Sequence, residues 1–408
     1  MRYAVPPTDA DPSQGHLDAS RPLGVYTHVP FCESRCPYCD FATTGRDENL
    51  HDRYVEAILA ELALKQAWFS PDEATLASIY IGGGTPALLD PRLLGRLIAA
   101  IRSTFPKHGN LEITVEANPG DVDDARLAGL REAGVNRLSF GAQAFQDRLL
   151  QTLGRRHRAE DTRLAIAAAR CAGFDNLCAD LMFGLPTQTD ADWDESLAAL
   201  LALSPEHITT YALSVEQGTP FGILERKGKL PRPDDEAVAA MYSHCHDRLV
   251  GAGYEHYEIS SYAKPGHRSR HNSLYWQGGA YLGLGVSAAS FRPLDDGSGL
   301  RFTNPRSTGT YLRNAEKGEF APAQMDARSK ADCEDEAVWL ALRTKDGISR
   351  KAHTERYGGD PLAIPSRARA AQGCVAAGWL EITGDAVRLT QAGFLFADEV
   401  AVRLSRMA

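Results

Sequence analysis

The chain has 408 residues, of which 43% are hydrophobic and 24% charged, enough to bury a large core and to divide into one large and one smaller unit. Its formal charge of -9 argues against a general nucleic-acid binder, which needs a basic surface to meet phosphate. No apolar run approaches a membrane span, and nothing near the first residue has the pattern of a signal peptide, so the expected location is the cytoplasm.

In chain order, residues 1–21 are rich in Pro, Asp and Ser and read as a loose tail. A β-branched and aromatic run, Leu23 to Val29, is the first predicted strand. It leads into Cys32, Cys36 and Cys39, a C-x3-C-x2-C spacing on a loop whose Pro30 and Pro37 discourage helix and ladder alike. Tetrahedral zinc wants four ligands in paired clusters, but the other five cysteines stand singly. A disulfide framework does not suit a large cytosolic chain. Three thiolates suit a [4Fe-4S] cube with one iron left open.

Beyond the loop, β-rich runs alternate with helical periods. Strands are predicted at Ala77 to Ile81, Leu111 to Ala117, Arg137 to Phe140, Leu177 to Phe183 and His207 to Leu213. Helices are predicted at Glu48 to Gln66, Pro91 to Phe105, Asp123 to Ala133, Ala159 to Ala172 and Asp190 to Leu203. Six strands in series joined by helices mean parallel strands with right-handed crossovers. The count falls short of eight, so the expected α/β fold is a partial (β/α)6 TIM-like barrel over residues 22–230, with a doubly wound sheet as the alternative. Polar or glycine positions gather after successive strands: the cysteines, Gly82 to Thr85, Glu116, Gln143 and Asp180. Those ends form the active face of a parallel barrel.

The motif C-E-S-R-C-P-Y-C after an apolar strand resembles the cluster loop of the radical S-adenosylmethionine (radical SAM) superfamily. Gly82-Gly83-Gly84-Thr85-Pro86 resembles the triglycine loop of its coproporphyrinogen dehydrogenase-like branch. The resemblance implies that Cys32, Cys36 and Cys39 hold a [4Fe-4S] cluster, whose open iron is chelated by the amino and carboxylate groups of S-adenosylmethionine (SAM). It further implies that Tyr26, Tyr38, Gly83, Gly84, Thr85, Glu116, Gln143, Arg155 and Asp180 surround SAM, some of them contacting a second SAM. Each has a plainer reading alone: Arg155 and Arg156 as a solvated pair, Asp180 as a turn cap, the glycines as a tight turn.

Pro233 to Gly253 reads as a helix and Tyr254 to Tyr262 as one alternating strand. His271, Asn272, Tyr275 and Trp276, in R-H-N-S-L-Y-W, match the H-N-x-x-Y-W motif of the HemW-like haem chaperones within that branch. The resemblance implies haem as ligand and acceptor haem proteins, membrane-seated ones among them, as partners. Imidazole is a common axial ligand and Tyr and Trp offer flat apolar surface, so these four residues are haem-binding candidates, with His271 expected at a surface. A lone histidine near aromatics is more often simply packed.

Residues 231–300 are assigned to a barrel extension and 301–408 to a smaller helical, winged-helix-like unit, with helices at Asp332 to Arg343 and Pro365 to Ala377 and a hairpin around Gly384-Asp385. That unit carries 16 Lys and Arg against 14 Asp and Glu, which favours a lid or docking role over DNA binding, and a homodimer is compatible with such a role. The competing function is oxygen-independent coproporphyrinogen III dehydrogenase. Members with that activity carry a further cysteine two residues after the third ligand, where this chain has Phe41.

Overall fold

The computed structural model describes residues 16–18 and 20–405. The predicted tail at 1–21 lies mostly outside them, but its last residues are not loose. Leu17 is buried and bridges Leu294, and the Asp18 amide donates to the Pro293 carbonyl.

The centre is a sheet of six parallel strands, β1 (Leu23–Val29), β2 (Leu76–Gly83), β3 (His108–Ala117), β4 (Arg137–Gln143), β5 (Leu177–Phe183) and β6 (His207–Ala212), neighbouring one another in chain order. A doubly wound sheet reverses its order at a switch point among these strands. The run from β1 to β6 has no reversal, so it is the singly wound partial barrel that the alternation predicted.

The sheet continues on both sides. The expected single strand at 254–262 is a hairpin, β7 (Glu255–Glu258) and β8 (Ser261–Ala263), and β8 pairs antiparallel with β6. On the far edge β9 (Ala280–Leu284) lies parallel to β1, followed by antiparallel β10 (Ala289–Pro293), β11 (Gly299–Thr303) and β12 (Gln324–Arg328). These twelve strands form one open sheet. The boundary expected at residue 301 therefore falls inside a strand of the large sheet. A separate small core, from Val338 to Leu404, gathers around a three-stranded wing of β13 (Ile348–Ser349), β14 (Leu380–Thr383) and β15 (Ala386–Leu389).

Strand parity decides what the barrel encloses. Val25, Ile79, Ile113, Val115, Leu138, Ala179 and Ile208 are buried in the main hydrophobic core. Side chains of a strand alternate between faces, so the intervening residues share the other face. They are Tyr26 and His28, Ser78 and Tyr80, Glu112 and Glu116, Arg137 and Ser139, Cys178 and Asp180, His207 and Thr209. The register sets them side by side: Tyr26 opposite Tyr80, Ser78 opposite Glu112, Glu116 opposite Ser139, Asp180 opposite Thr209. One face is oily and helix-covered; the inner face is polar.

Helices are started by local chemistry. Helix Pro91–Thr104 has Asp90 at its N-cap, accepting from the Arg92 amide, and proline in its first turn. Helix Asp190–Leu203 opens with a reciprocal Thr189 and Asp192 capping box. Each buried leucine on their inner stripes contributes roughly 1.5–3 kcal/mol by leaving water. Helix His51–Lys65 is pinned by polar contacts. Buried Lys65 donates to Glu61 at 2.5 Å and to Asn304 at 2.6 Å, while Glu61 accepts from the Gly285 amide at 2.8 Å and the Tyr311 hydroxyl at 2.6 Å. That network ties the helix after the cysteine loop to the turn after β9.

Candidate functional site

The C-terminal ends of β1 to β5 open into a cavity of about 430 Å³. Its walls include Cys32, Cys36, Tyr38 and Cys39 from the loop after β1, Gly83 to Thr85 after β2, Glu116 on β3, Gln143 on β4, Arg155, and Asp180 on β5. Of the predicted cofactor residues only Tyr26 is set back. It lines a side groove instead, next to His28.

All three loop cysteines are free and half-buried. Burial pushes the Cys32 thiol up to about 11 and raises that of Cys39, so neither ionises at neutral pH without a cation to hold the thiolate. Long sulfur contacts of 3.9 Å run to Cys32 from the Thr85 hydroxyl and to Cys36 from the Arg155 guanidinium. Among the described residues no three His, Cys, Asp or Glu converge on a point that would suit a single ion. A cube in which three of the irons would each take one thiolate does not require such convergence, and three soft donors on one loop at a cavity wall fit it.

The polar wall is held by a chain of hydrogen bonds. Glu116 accepts from the Tyr80 hydroxyl at 2.8 Å and from the Gly83 amide at 3.0 Å. Burial raises the Glu116 carboxyl, and burial likewise raises Asp180, which accepts from the Cys178 thiol at 3.4 Å. Arg155 donates to the Gly141 carbonyl at 2.9 Å and to Asn118, whose amide donates in turn to Thr85 at 3.0 Å and Asp121 at 2.9 Å. Arg156 turns to Asp121 at 3.3 Å, so the two arginines are not a solvated pair. Gln143 is buried in the left-handed region, φ +66°, and accepts from Tyr211 at 2.9 Å. A non-glycine residue held there stores local strain, a mark of functional sites. Sequence reasoning missed Asn118, Tyr80 and Tyr211. The even-numbered parity of β2 and the N-P-G turn after β3 were the available signals.

The triglycine loop has a reason for each of two glycines. Gly83 has φ +111°, and a Cβ there would sit 2.5 Å from the His28 ring. A Cβ on Gly84 would lie 2.7 Å from the Phe31 carbonyl oxygen. The loop is pressed against the strand that delivers the cysteines.

Each family pattern that matches covers one part of this architecture. The radical SAM superfamily pattern matches residues 26–200, and the HemN C-terminal domain pattern matches residues 329–396. A protein of Synechocystis sp. named "Heme chaperone HemW" is 39% identical over 336 residues, 80% of this chain and 79% of that one. A Bacillus subtilis protein of the same name is 38% identical over 336 residues, 82% of this chain and 86% of its own. The chain belongs to the HemW family of radical SAM proteins. Its fold is also that of Escherichia coli coproporphyrinogen III oxidase (HemN), with a TM-score of 0.81 at 21% identity, covering 95% of this chain and 91% of the other. As a radical SAM protein it carries a [4Fe-4S] cluster and SAM as cofactors. The boundary at 329 agrees with where the small core begins.

The four motif residues separate. His271 is buried, 1% exposed, and not at a surface as expected. Its Nδ1 lies 2.8 Å from the Ser78 hydroxyl and its Nε2 2.9 Å from the Tyr275 hydroxyl. The short helix Arg270–Trp276 packs its inner side on β1, β2 and β9, which turns the imidazole into the barrel. Tyr275 reaches the side groove and Trp276 lines a cleft against the small unit, both half-buried, while the Asn272 amide is capped by Ser269 at 3.3 Å.

Three buried histidines give the fold a signed pH dependence. Burial pushes His157 down to about 4, His256 to about 4 and His271 to about 3, from an ordinary 6.5. An unfolded imidazole takes a proton below 6.5 that the folded one refuses, so this stability is whole above 6.5 and is lost as pH falls toward 4. Denaturant titration at about pH 7.5 and about pH 5.5 should show unfolding free energy falling by about 1 kcal/mol per histidine. His157→Gln should remove one such share.

Proposed function

We propose that this protein is a haem chaperone: it binds haem, carries a [4Fe-4S] cluster with SAM in its barrel, and passes haem to acceptor haem proteins. The observation that carries the reading is the identity of 39% to a relative named as a haem chaperone over four-fifths of this chain. Cys32, Cys36 and Cys39 would hold the cluster, which supplies an open iron for the amino and carboxylate groups of SAM. Gly83 and Gly84 would offer bare backbone to SAM, Glu116 and Asp180 hydrogen-bond acceptors or protonated donors, and Arg155 a fixed cation beside Cys36. Tyr38, Thr85 and Gln143 complete that wall.

The surroundings of Phe41 support carriage over decarboxylation. Phe41 is 66% exposed and lines both the main cavity and the side groove of about 440 Å³ formed with Tyr26, His28, Tyr275, Tyr281 and Arg306. Flat rings suit the face of a porphyrin and an open groove suits release, while Arg306 at the rim, paired with Asp40 at 2.8 Å, would have to exchange that carboxylate for one of the porphyrin's. The position two residues after the third cluster cysteine holds this phenyl ring and offers no thiol. Acceptors, including ones seated in a membrane, would dock on the small unit, which exposes Val375, Leu395, Phe396 and Val402. No helix among the described residues is long and apolar enough to cross a membrane.

The test is anaerobic reconstitution followed by two assays. Haem titration should give a saturable Soret band at about one haem per chain. Coproporphyrinogen III with reductant and SAM should give no protoporphyrinogen. Decarboxylation without haem binding would replace this reading by the dehydrogenase one.

A further inference from the structure

The histidine of the H-N-x-x-Y-W motif sits where a haem ligand should not, on Ser78 and Glu112 and away from the cysteine loop. Glu112 accepts from the amides of both Arg270 and His271 at 3.1 Å, fixing the start of the helix against the early part of β3. Gly24 makes room for it: a Cβ there would lie 2.9 Å from Leu274 and 3.2 Å from the His271 ring. The helix therefore closes the lower end of the polar inner face. Above it the rings are layered. The His271 ring stacks on Tyr80 with centroids 5.1 Å apart at 29°, and Tyr80 stacks on Tyr26 at 6.2 Å and 29°. Tyr80 then donates to Glu116, whose other oxygen takes the Gly83 amide.

We propose that His271 is a positioning residue of the SAM pocket: wedged between Ser78 and Tyr275, it holds the Tyr80 ring so that Tyr80 and Glu116 fix the Gly83 backbone where SAM must approach it. Two ring nitrogens already engaged at 2.8 and 2.9 Å leave no lone pair facing open space, which an axial ligand needs. A hydroxyl on each side fixes both position and rotation of the imidazole, as supporting partners do around other preorganised sites. Haem then has no reason to reach the motif's histidine, and the motif's link to the haem groove passes through Tyr275 alone. The inference rests on radical SAM membership and stands whether or not haem is the cargo.

The experiment compares wild type, His271→Ala, His271→Phe, Tyr80→Phe and the double variant, all with the cluster reconstituted anaerobically and its absorption checked. SAM affinity is read by calorimetry and haem affinity by the Soret band. His271→Ala should weaken SAM binding about tenfold, near 1.4 kcal/mol, with haem affinity unchanged. His271→Phe keeps a ring on Tyr80 and should recover part of the loss. Adding Tyr80→Phe to His271→Ala should lower affinity little further, because the second residue acts through the first. General loosening of the fold would instead make the losses additive and lower haem affinity in parallel, which would overturn the proposal. Unchanged SAM affinity with haem binding lost would make His271 the ligand after all. If His271→Ala does not fold, His271→Phe and Tyr80→Phe carry the same comparison. Wild type that binds SAM but no haem would sink the chaperone reading and leave this one intact.

Discussion

Replacing Cys36 by alanine should abolish the iron–sulfur absorption of the reconstituted protein and drop its iron from about four per chain to background. Each thiolate of a cube with an open iron holds a different iron, so no remaining cysteine can substitute without moving the loop. The loop cannot move far. Pro30, Phe31 and Cys32 are locked by the Thr44, Thr85 and Arg46 amides donating to their carbonyls, and the Cys39 amide donates to Cys36. Cys32→Ala and Cys39→Ala should behave alike, and SAM affinity should fall with the cluster because the iron that SAM would chelate is gone. The controls are decisive. Cys171 is exposed, and Cys178 sits within the sheet, 3.1 Å from the His207 ring. Iron lost equally from Cys171→Ala or Cys178→Ala would mean that the ligand set is wrong.

The parts of the site that were legible in the sequence share one property: they lie on or after a strand and their chemistry cannot be explained by packing. Cysteines beside prolines, three glycines after an apolar run, a carboxylate near the end of β3 and another in the middle of β5 all violate what a plain α/β core would contain. Asn118 was not legible because asparagine before proline is ordinary turn chemistry. Only the meeting of three chain segments makes it the residue that joins Arg155, Thr85 and Asp121.

Residues made important by parity were legible in principle but carry no compositional signal. Tyr80 looks like any aromatic in a strand until the register places it between Tyr26 and the Glu116 column. His271 shows the converse. Its motif marks the family, yet which way the imidazole faces depends on the helix Arg270–Trp276 lying against strands drawn from the beginning of the chain, and local pattern cannot fix a contact between Ser78 and His271 across 193 positions. The same non-locality hid β9, which pairs with β1 and so moved the edge of the large unit past residue 301 to the end of β12.

Gly83→Val tests the triglycine loop, with a second large effect expected. The left-handed φ of +111° is a conformation that β-branched residues avoid, and the new Cβ would start 2.5 to 2.8 Å from three atoms of the His28 ring. His28 cannot swing away freely. Its Nε2 donates to the Ala42 carbonyl at 2.9 Å, leaving Nδ1 to accept from Tyr26 at 3.1 Å. Either the ring moves, breaking two hydrogen bonds behind the cysteine loop, or the backbone at Gly83 moves, breaking the bond to Glu116. Either route costs about 1–3 kcal/mol of fold stability. SAM affinity should fall by more than the tenfold expected for His271→Ala, since the side chain also stands in the path of the ligand's approach to bare backbone. Haem binding in the side groove should weaken only if the ring is what moves, because His28 lines that groove. Calorimetric titration with SAM and thermal unfolding of the same preparation separate the outcomes. Wild-type SAM affinity in a folded Gly83→Val protein would show that the loop is a plain turn and that SAM does not bind against it.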